Sequence, residues 1–249
     1  MNIVIANYSG NIGKTTLVRH LLSPNLPDHK IVSVESINLD GLSPDTLTTT
    51  GRRSGKSIDD LILNRETIFD VGGSNVEDFM TQLGMREGAH EDIDLFLVPT
   101  TSDRKIMGDT INIITDLADL GVSSGKIRLI FNRVDSSESE LLEEIFKPIY
   151  DFYRDRSLFM LSEHWTIFNS EMFELTRNMK DPDGNPLTVY DLASDTTDYK
   201  RLIRETQDPD LKTQYARRLA ASRLAKSAKT NLDSVFAELT STSIQGEKE

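Results

Sequence analysis

With 249 residues and a formal net charge of −12, the chain is long enough to bury one sizeable core, while its acidity argues against nucleic-acid binding over the whole surface. The absence of cysteine rules out a disulfide framework and a thiolate metal site, and the four histidines (His20, His29, His90, His164) are scattered without ligand spacing. No apolar run is long enough to span a bilayer, and the first strand begins at residue 2 with no basic or apolar leader before it. The expectation is a cytoplasmic protein without stable membrane insertion.

In chain order, Asn2-Ile3-Val4-Ile5-Ala6 reads as a short buried strand that runs directly into Ser9-Gly10-Asn11-Ile12-Gly13-Lys14-Thr15-Thr16. That run is a phosphate-binding loop. Its glycines let the backbone pass close to a polyphosphate, and Lys14 brings a positive charge to it. The helix starting at Thr15 turns its unpaired N–H groups and positive dipole end toward the anion. Thr15 offers the hydroxyl that a magnesium ion takes beside the terminal phosphates. The loop departs from GxxxxGK[ST], which needs glycine where Tyr8 stands, and fits a variant built on G-x-G-K-T-T with Asn11 in place of one glycine. An apolar helix over Thr15–Leu22 follows, carrying Leu17, Val18, Leu21 and Leu22.

A strand at Ile31–Val34 leads into a polar stretch, Asp40–Ser57, expected to be poorly ordered. A second Gly-Lys-Ser lies within it, from Gly51 to Ser57, but no strand precedes it and it reads as a solvated loop. The strand Thr67–Asp70 closes in Asp70-Val71-Gly72-Gly73-Ser74-Asn75. An acidic residue ending an apolar strand is the usual partner of a nucleotide-bound magnesium ion, and a glycine three residues on can turn its N–H toward a γ-phosphate. A cap at Ser74 or Asn75 for the helix Asn75–Leu83 is compatible with the same residues.

Strands at Leu95–Val98, Ile127–Phe131 and Leu158–Leu161 alternate with helices at Ile106–Leu120 and Glu138–Phe152, the latter with Leu141, Leu142, Ile145, Phe146 and Ile149 at helical spacing. This alternation implies right-handed βαβ units, hence an α/β fold with a twisted, mainly parallel sheet and helices on both faces. Ligands of such sheets bind at the carboxyl ends of the strands, where each of these motifs falls. The strand at Ile127–Phe131 ends in Asn132-Arg133-Val134-Asp135. The amide of Asn132 can hydrogen-bond a purine edge and Arg133 can stack on the ring. An N-[KR]-x-D run is also a guanine reader through its carboxylate, and a plain loop cap is a third reading.

From Lys200 to Lys229 there are nine Lys/Arg against three acidic residues, Glu205, Asp208 and Asp210, so a basic helical arm is expected on an acidic body. At about 100° per residue Ala220, Leu224 and Ala228 share one face, and Arg223, Lys226 and Lys229 line another. Packing with a solvated basic face, or contact with DNA phosphates, both fit that pattern. The expected organisation is a nucleotide-binding domain over 1–195, a basic helical extension of it over 196–240, and a flexible tail over 241–249.

The loop Ser9–Thr16, the Asp70-Val71-Gly72-Gly73 turn and the Asn132-Arg133 pair, in this order along an alternating α/β chain, resemble the ParA/MinD family of dimerising, deviant-Walker ATPases. The wording of Ser9–Thr16, Val34-Glu35-Ser36-Ile37-Asn38 and Asp70–Phe79 is most similar to the StbB-type plasmid stability proteins. The resemblance spans the motifs up to residue 165. It implies a P-loop NTPase fold with a C-terminal helical extension, ATP and Mg2+ as cofactors, and weak or partner-stimulated ATPase activity. It also implies a nucleotide-dependent homodimer acting in plasmid partition or stability, and in conjugative transfer, with a DNA-binding partner. By the same resemblance Ser9, Gly10, Asn11, Ile12, Gly13, Lys14, Thr15, Thr16, Gly73, Asn132 and Arg133 bind the nucleotide and Thr15 and Asp70 hold the metal. Lys14, Glu35, Asp40 and Asp70 are the catalytic candidates.

The chain departs from the family pattern at two places. Ser9 stands where the family has a lysine at the head of the loop, so another cation is expected to serve, from Arg104, Lys105, Arg52, Arg53 or Lys56. Where the family has an Asp-x-Asp pair to position the attacking water, this chain has Glu35 and Ile37, with Asp40 further on, and slow hydrolysis is expected. An ATP-dependent ligase or small-molecule kinase on the same loop is the alternative. It calls for a second reactive pocket, for which the latter half offers only Glu163-His164-Trp165. MinD-like membrane attachment is not expected of the polar, acidic end Ser241–Glu249.

Overall fold

The strands are apolar on both sides because helices cover both faces of the sheet. In β1 (Ile3–Ile5) the alternation of side chains sends Ile3 and Ile5 into one core and Val4 into the other. A computed structural model describes residues 1–34, 47–49 and 66–241. Six further strands are β2 (Lys30–Val34), β3 (Leu47–Thr49), β4 (Thr67–Val71), β5 (Leu95–Thr100), β6 (Ile127–Val134) and β7 (Thr166–Phe168). They form one sheet in the order β3-β2-β4-β1-β5-β6-β7, with every named pairing parallel. The expected parallel α/β fold is therefore the observed one.

The helices are α1 (Lys14–Leu17), continued by a π-helical turn over Val18–Leu22, then α2 (Val76–Gly84), α3 (Arg104–Asp119), α4 (Leu142–Ile145) and α5 (Lys147–Arg156). They are followed by α6 (Glu171–Thr176), α7 (Val189–Ser194), α8 (Tyr199–Glu205) and the long α9 (Pro209–Ser241). One core joins Val4, Val32, Phe69, Phe96 and Phe131 to Phe79 of α2, Ile113 of α3 and Ile149 of α5. The other joins Ile3, Ile5, Ile68, Leu97 and Ile130 to Leu17 of α1, Leu192 of α7 and Ala221, Ala225, Leu232 and Val235 of α9. Burying each such Val, Leu, Ile or Phe contributes about 1.5–3 kcal/mol, so the sheet is a rigid base for the loops at its carboxyl ends. The chain passes from β1 to β2 on one side and from β4 to β5 on the other, which makes the carboxyl end of β1 the switch point where such sheets bind ligands.

Four expectations are corrected. Leu158–Leu161 is not a strand but makes one bridge, Arg128 to Met160, and the last strand is Thr166–Phe168 instead. Within the polar stretch, Leu47–Thr49 pairs with β2, while the Gly51–Ser57 run lies outside the described residues. The helix expected over Glu138–Phe152 is broken into a 3-10 segment, α4 and α5. Pro148 sits in the first turn of α5, where its missing N–H costs nothing, and Phe146 leaves helical geometry at φ −101° and ψ 28°. The buried line of α9 runs through Ala221, Ala225 and Leu232, not Ala220 and Leu224, and Leu224 is 36% exposed. The segment 242–249 lies outside the described residues. No helix among the described residues is long and apolar enough to cross a membrane.

Candidate phosphate-binding site

The loop between β1 and α1 takes its shape from two left-handed residues, Asn11 at φ 56° and Gly13 at φ 90°. Asparagine tolerates that region. Gly13 is needed twice over, because a Cβ there would stand 2.6 Å from Asn132 Nδ2. Gly13 is the N-cap of α1 and no side chain fills the helix start, so the first N–H groups face the loop and suit an anion. Ile12 is fully buried and anchors the loop from beneath.

Lys14 is 7% exposed, and its Nζ donates to Asn7 O at 3.0 Å and Ser9 O at 2.7 Å. The ammonium is thereby held inside the loop, where a polyphosphate would lie. Burial brings its pKa down from 10.5 to about 8, with nearby Asp70 opposing the shift. Between about 8 and 10.5 the unfolded chain binds this proton more fully than the folded one, so through Lys14 the stability of the free protein rises with pH across that window. Phosphate binding needs the ammonium, so nucleotide affinity should fall as pH rises through about 8. Calorimetric titrations and melting curves from pH 7 to pH 9.5 check both trends, and Lys14→Met should remove them.

Thr15 Oγ1 donates to Asp70 Oδ2 at 2.6 Å. Asp70 reaches this position because β4 lies beside β1 with Ile5 opposite Asp70 in register. One hydroxyl and one carboxylate, with no imidazole or thiolate, suit magnesium. Among the described residues no group of three or more His, Cys, Asp or Glu could hold a metal ion by itself, so a divalent ion here would draw further ligands from phosphate and water. Gly73 backs the loop: a Cβ on it would lie 3.0 Å from Gly10 N and from Tyr8 O. It fixes the loop's distance from β4.

Asn132, 5% exposed, uses both ends of its amide on the backbone. Its Nδ2 donates to Ile12 O at 2.7 Å and its Oδ1 accepts from Arg133 N at 3.0 Å. Here it is a buttress of the phosphate loop. Arg133, at φ 58°, is exposed and lines the same cleft as Thr15, Thr16, Asp70 and Phe168. Asp135 accepts from Ser137 N at 3.0 Å and Ser137 Oγ at 2.8 Å, which also holds its carboxyl below the usual range. It is the N-cap of the 3-10 segment Ser136–Leu141, and the loop-cap reading holds for it.

The structure thus gathers Ser9 through Thr16, Asp70, Gly73 and Asn132 around one loop, with Arg133 at its margin. Glu35 and Asp40 lie outside the described residues, as do Arg52, Arg53 and Lys56. Sequence reasoning missed the residues that hold the loop from the side of α3. Asn7, fully buried, donates to Pro99 O at 2.9 Å and to Thr110 Oγ1 at 2.8 Å. Ser9 Oγ donates to Asp109 Oδ2 at 2.5 Å, and Tyr8 donates to Asp116. The one sign in the sequence was a polar Asn7 closing an apolar strand. Of Glu163-His164-Trp165, Trp165 is buried beneath Arg128, Glu163 accepts from Tyr150, and His164 is exposed.

Fold and loop together define a P-loop protein of the parallel α/β class. No family model matches the chain, and no curated protein matches it. Among solved structures it is similar to the MinD cell division protein of Aquifex aeolicus, at 13% identity and a TM-score of 0.46 over 93% of this chain and 96% of that one. It is similar to the McdA–ATP complex of Cyanothece, at 15% identity and a TM-score of 0.44 over 90% and 96% of the two chains. A plasmid partition protein of Borrelia burgdorferi bound to AMPPNP is similar at 12% identity, with a TM-score of 0.44 over 88% and 96%.

Proposed function

We propose that this chain is a ParA/MinD-type ATPase that works as a nucleotide-dependent switch. The observation that carries the reading is the joint placement of Lys14 inside the loop and of Thr15 on Asp70. In this reading the loop N–H groups and Lys14 bind the β- and γ-phosphates. Thr15 and Asp70 hold a magnesium ion, which when bound neutralises charge developing on the phosphates. Gly73 sets the loop's depth, and Asn132 keeps Ile12 and the loop in register while Arg133 borders the base. Glu35 and Asp40 are proposed to position the attacking water, and the loss of a regular acidic pair there favours slow or partner-stimulated hydrolysis.

The biological setting follows the motif resemblance to StbB-type proteins: plasmid stability or partition, and conjugative transfer, in the cytoplasm with a DNA-binding partner. The basic extension supports direct DNA contact, because Lys212, Arg223 and Lys226 are exposed and have no ion pair among the described residues. Lys229 is instead spent within the fold, paired with Asp233 at 2.5 Å and lying over the Tyr190 ring.

Sizing the full chain with MgADP and with MgAMPPNP tests the switch. A dimer formed only with the ATP analogue is expected, with no added small substrate. A chain that stays monomeric at saturating analogue would refute it and favour the ligase or kinase alternative. Competition of ATP against GTP reads the base. ATP is expected to win, and a tenfold preference for GTP, about 1.4 kcal/mol, would overturn that assignment.

A further inference from the structure

Helix α1 carries Lys14 at its start and continues into the π-helical turn Val18–Leu22, closed by Ser23 N donating to Val18 O at 2.8 Å. Such turns are rare and gather at functional sites. This one holds Arg19 and His20, neither of which serves the phosphate loop. Arg19 is occupied by backbone carbonyls, donating to Leu187 O at 3.1 Å, Thr176 O at 3.1 Å and Met179 O at 3.4 Å. It ties the end of α6 and the segment before α7 to α1.

His20 is 2% exposed. Its Nδ1 accepts from Val189 N at 3.2 Å, so that nitrogen carries no proton and Nε2 does. Burial, with the charge of Arg19 beside it, lowers its pKa to about 3 and keeps the ring neutral. The Nε2–H has no acceptor among the described residues and is not sealed within the core. His20 lines the same cleft as Thr15 and Asp70. A buried donor without an acceptor is costly, so its fitting partner is a group lodged in that cleft.

The cleft has room for one. Its volume is about 1180 Å³, whereas sites for drug-sized molecules enclose about 300–1,000 Å³. His20 lies about 9 Å along the helix axis from Lys14, so a nucleotide seated on the loop leaves the His20 lobe to a second molecule. Phe173 walls that lobe, its ring centroid 5.5 Å from that of His20. Val18, Ile167 and Leu232, all buried, also line the cleft. The charge acting on His20 is that of Arg19. Arg177, an exposed cation of the lining, has only a solvent-screened pairing with Glu174 at 3.4 Å. An anionic acceptor on an apolar body matches these surroundings.

We propose that the His20 lobe binds a small organic carboxylate, which accepts from His20 Nε2–H, takes its countercharge from Arg177 and lays an apolar or aromatic body against Phe173. This site is separate from the nucleotide's and does not depend on the ATPase reading. His20 holds the ligand without activating it, since Val189 N takes one ring nitrogen and the other already bears its proton.

Calorimetry and histidine NMR of the full chain, with benzoate and hexanoate as probes, test this. At least one acid should bind saturably, shift the His20 Nε2–H resonance, and bind as well with MgAMPPNP present as without it. Benzamide, which keeps the ring of benzoate and loses its charge, should bind at least about tenfold more weakly than the acid. His20→Asn keeps an acceptor for Val189 N and withdraws the donor from the cleft, while Arg177→Gln alters only an exposed side chain. Each should weaken acid binding by at least about fivefold and leave AMPPNP binding unchanged, and Arg177→Gln should keep its melting temperature. The inference is overturned if neither acid binds saturably, if benzamide binds as tightly as benzoate, or if either folded variant binds the acids like the unaltered chain. Displacement of the acids by AMPPNP also overturns it, because the lobe would then belong to the nucleotide. A chain that binds the acids but not AMPPNP overturns the ATPase reading alone.

Discussion

Lys14→Ala is expected to weaken ATP binding by about a hundredfold while leaving the fold intact. The lost interaction is a charged hydrogen bond to phosphate, worth up to about 3 kcal/mol, and each 1.4 kcal/mol is about tenfold in Kd. The fold should tolerate the change because burial already disfavours this ammonium, as its lowered pKa shows. Isothermal titration with AMPPNP measures the affinity, and an unchanged Kd would remove the loop from the phosphate site. Thr15→Ala gives the companion result. It should reduce binding in the presence of magnesium far more than in its absence, since the Thr15 hydroxyl, bonded to Asp70, is proposed as a magnesium ligand.

Gly13→Ala is the second large effect, and it falls on stability as well as binding. The residue must keep φ 90°, which costs a side-chain-bearing residue about 1–2 kcal/mol. The new Cβ would also meet Asn132 Nδ2 at 2.6 Å and push it off Ile12 O, stranding a buried polar pair at about 1–3 kcal/mol. A loss of about 2–4 kcal/mol, and a melting temperature lower by roughly 5–15 °C for a chain of this size, is expected. Gly10→Ala is the control on stability, since a Cβ there meets nothing within 4 Å. Adding Asn132→Ala to Gly13→Ala should cost less than the sum of the two single changes, because both break the same contact. Strict additivity would show that Asn132 does not buttress the loop.

The loop proposed as the phosphate site was legible because most of it is contiguous. Ser9 to Thr16 forms its turn from its own residue types, and Asp70 and Asn132 each close an apolar strand, so a parallel sheet had to bring them to one edge. The break at Pro148 was also written in the chain, although the apolar spacing from Leu141 to Ile149 masked it. Less legible was the choice between Leu158–Leu161 and Thr166–Phe168 as the last strand. Both are apolar, and pairing with β6 decides between them: Thr166 lies opposite Phe131, while only Met160 of the earlier run meets Arg128.

The face of α9 was undetermined for a related reason. Leu219, Ala220, Ala221, Leu224, Ala225 and Ala228 put apolar groups around most of the helix, so no single stripe stands out. Contact with α7 and β7 selects the Ala221–Ala225–Leu232 line. Local chemistry along the chain thus determined the loop, the strand ends and the class of fold, because turn geometry, helix starts and apolar runs are properties of neighbouring residues. Only the tertiary structure decided that Asn7, Tyr8 and Ser9 would be held by Thr110, Asp116 and Asp109, about a hundred residues away. Those bonds depend on β5 lying beside β1, a pairing between two buried strands that no local pattern specifies.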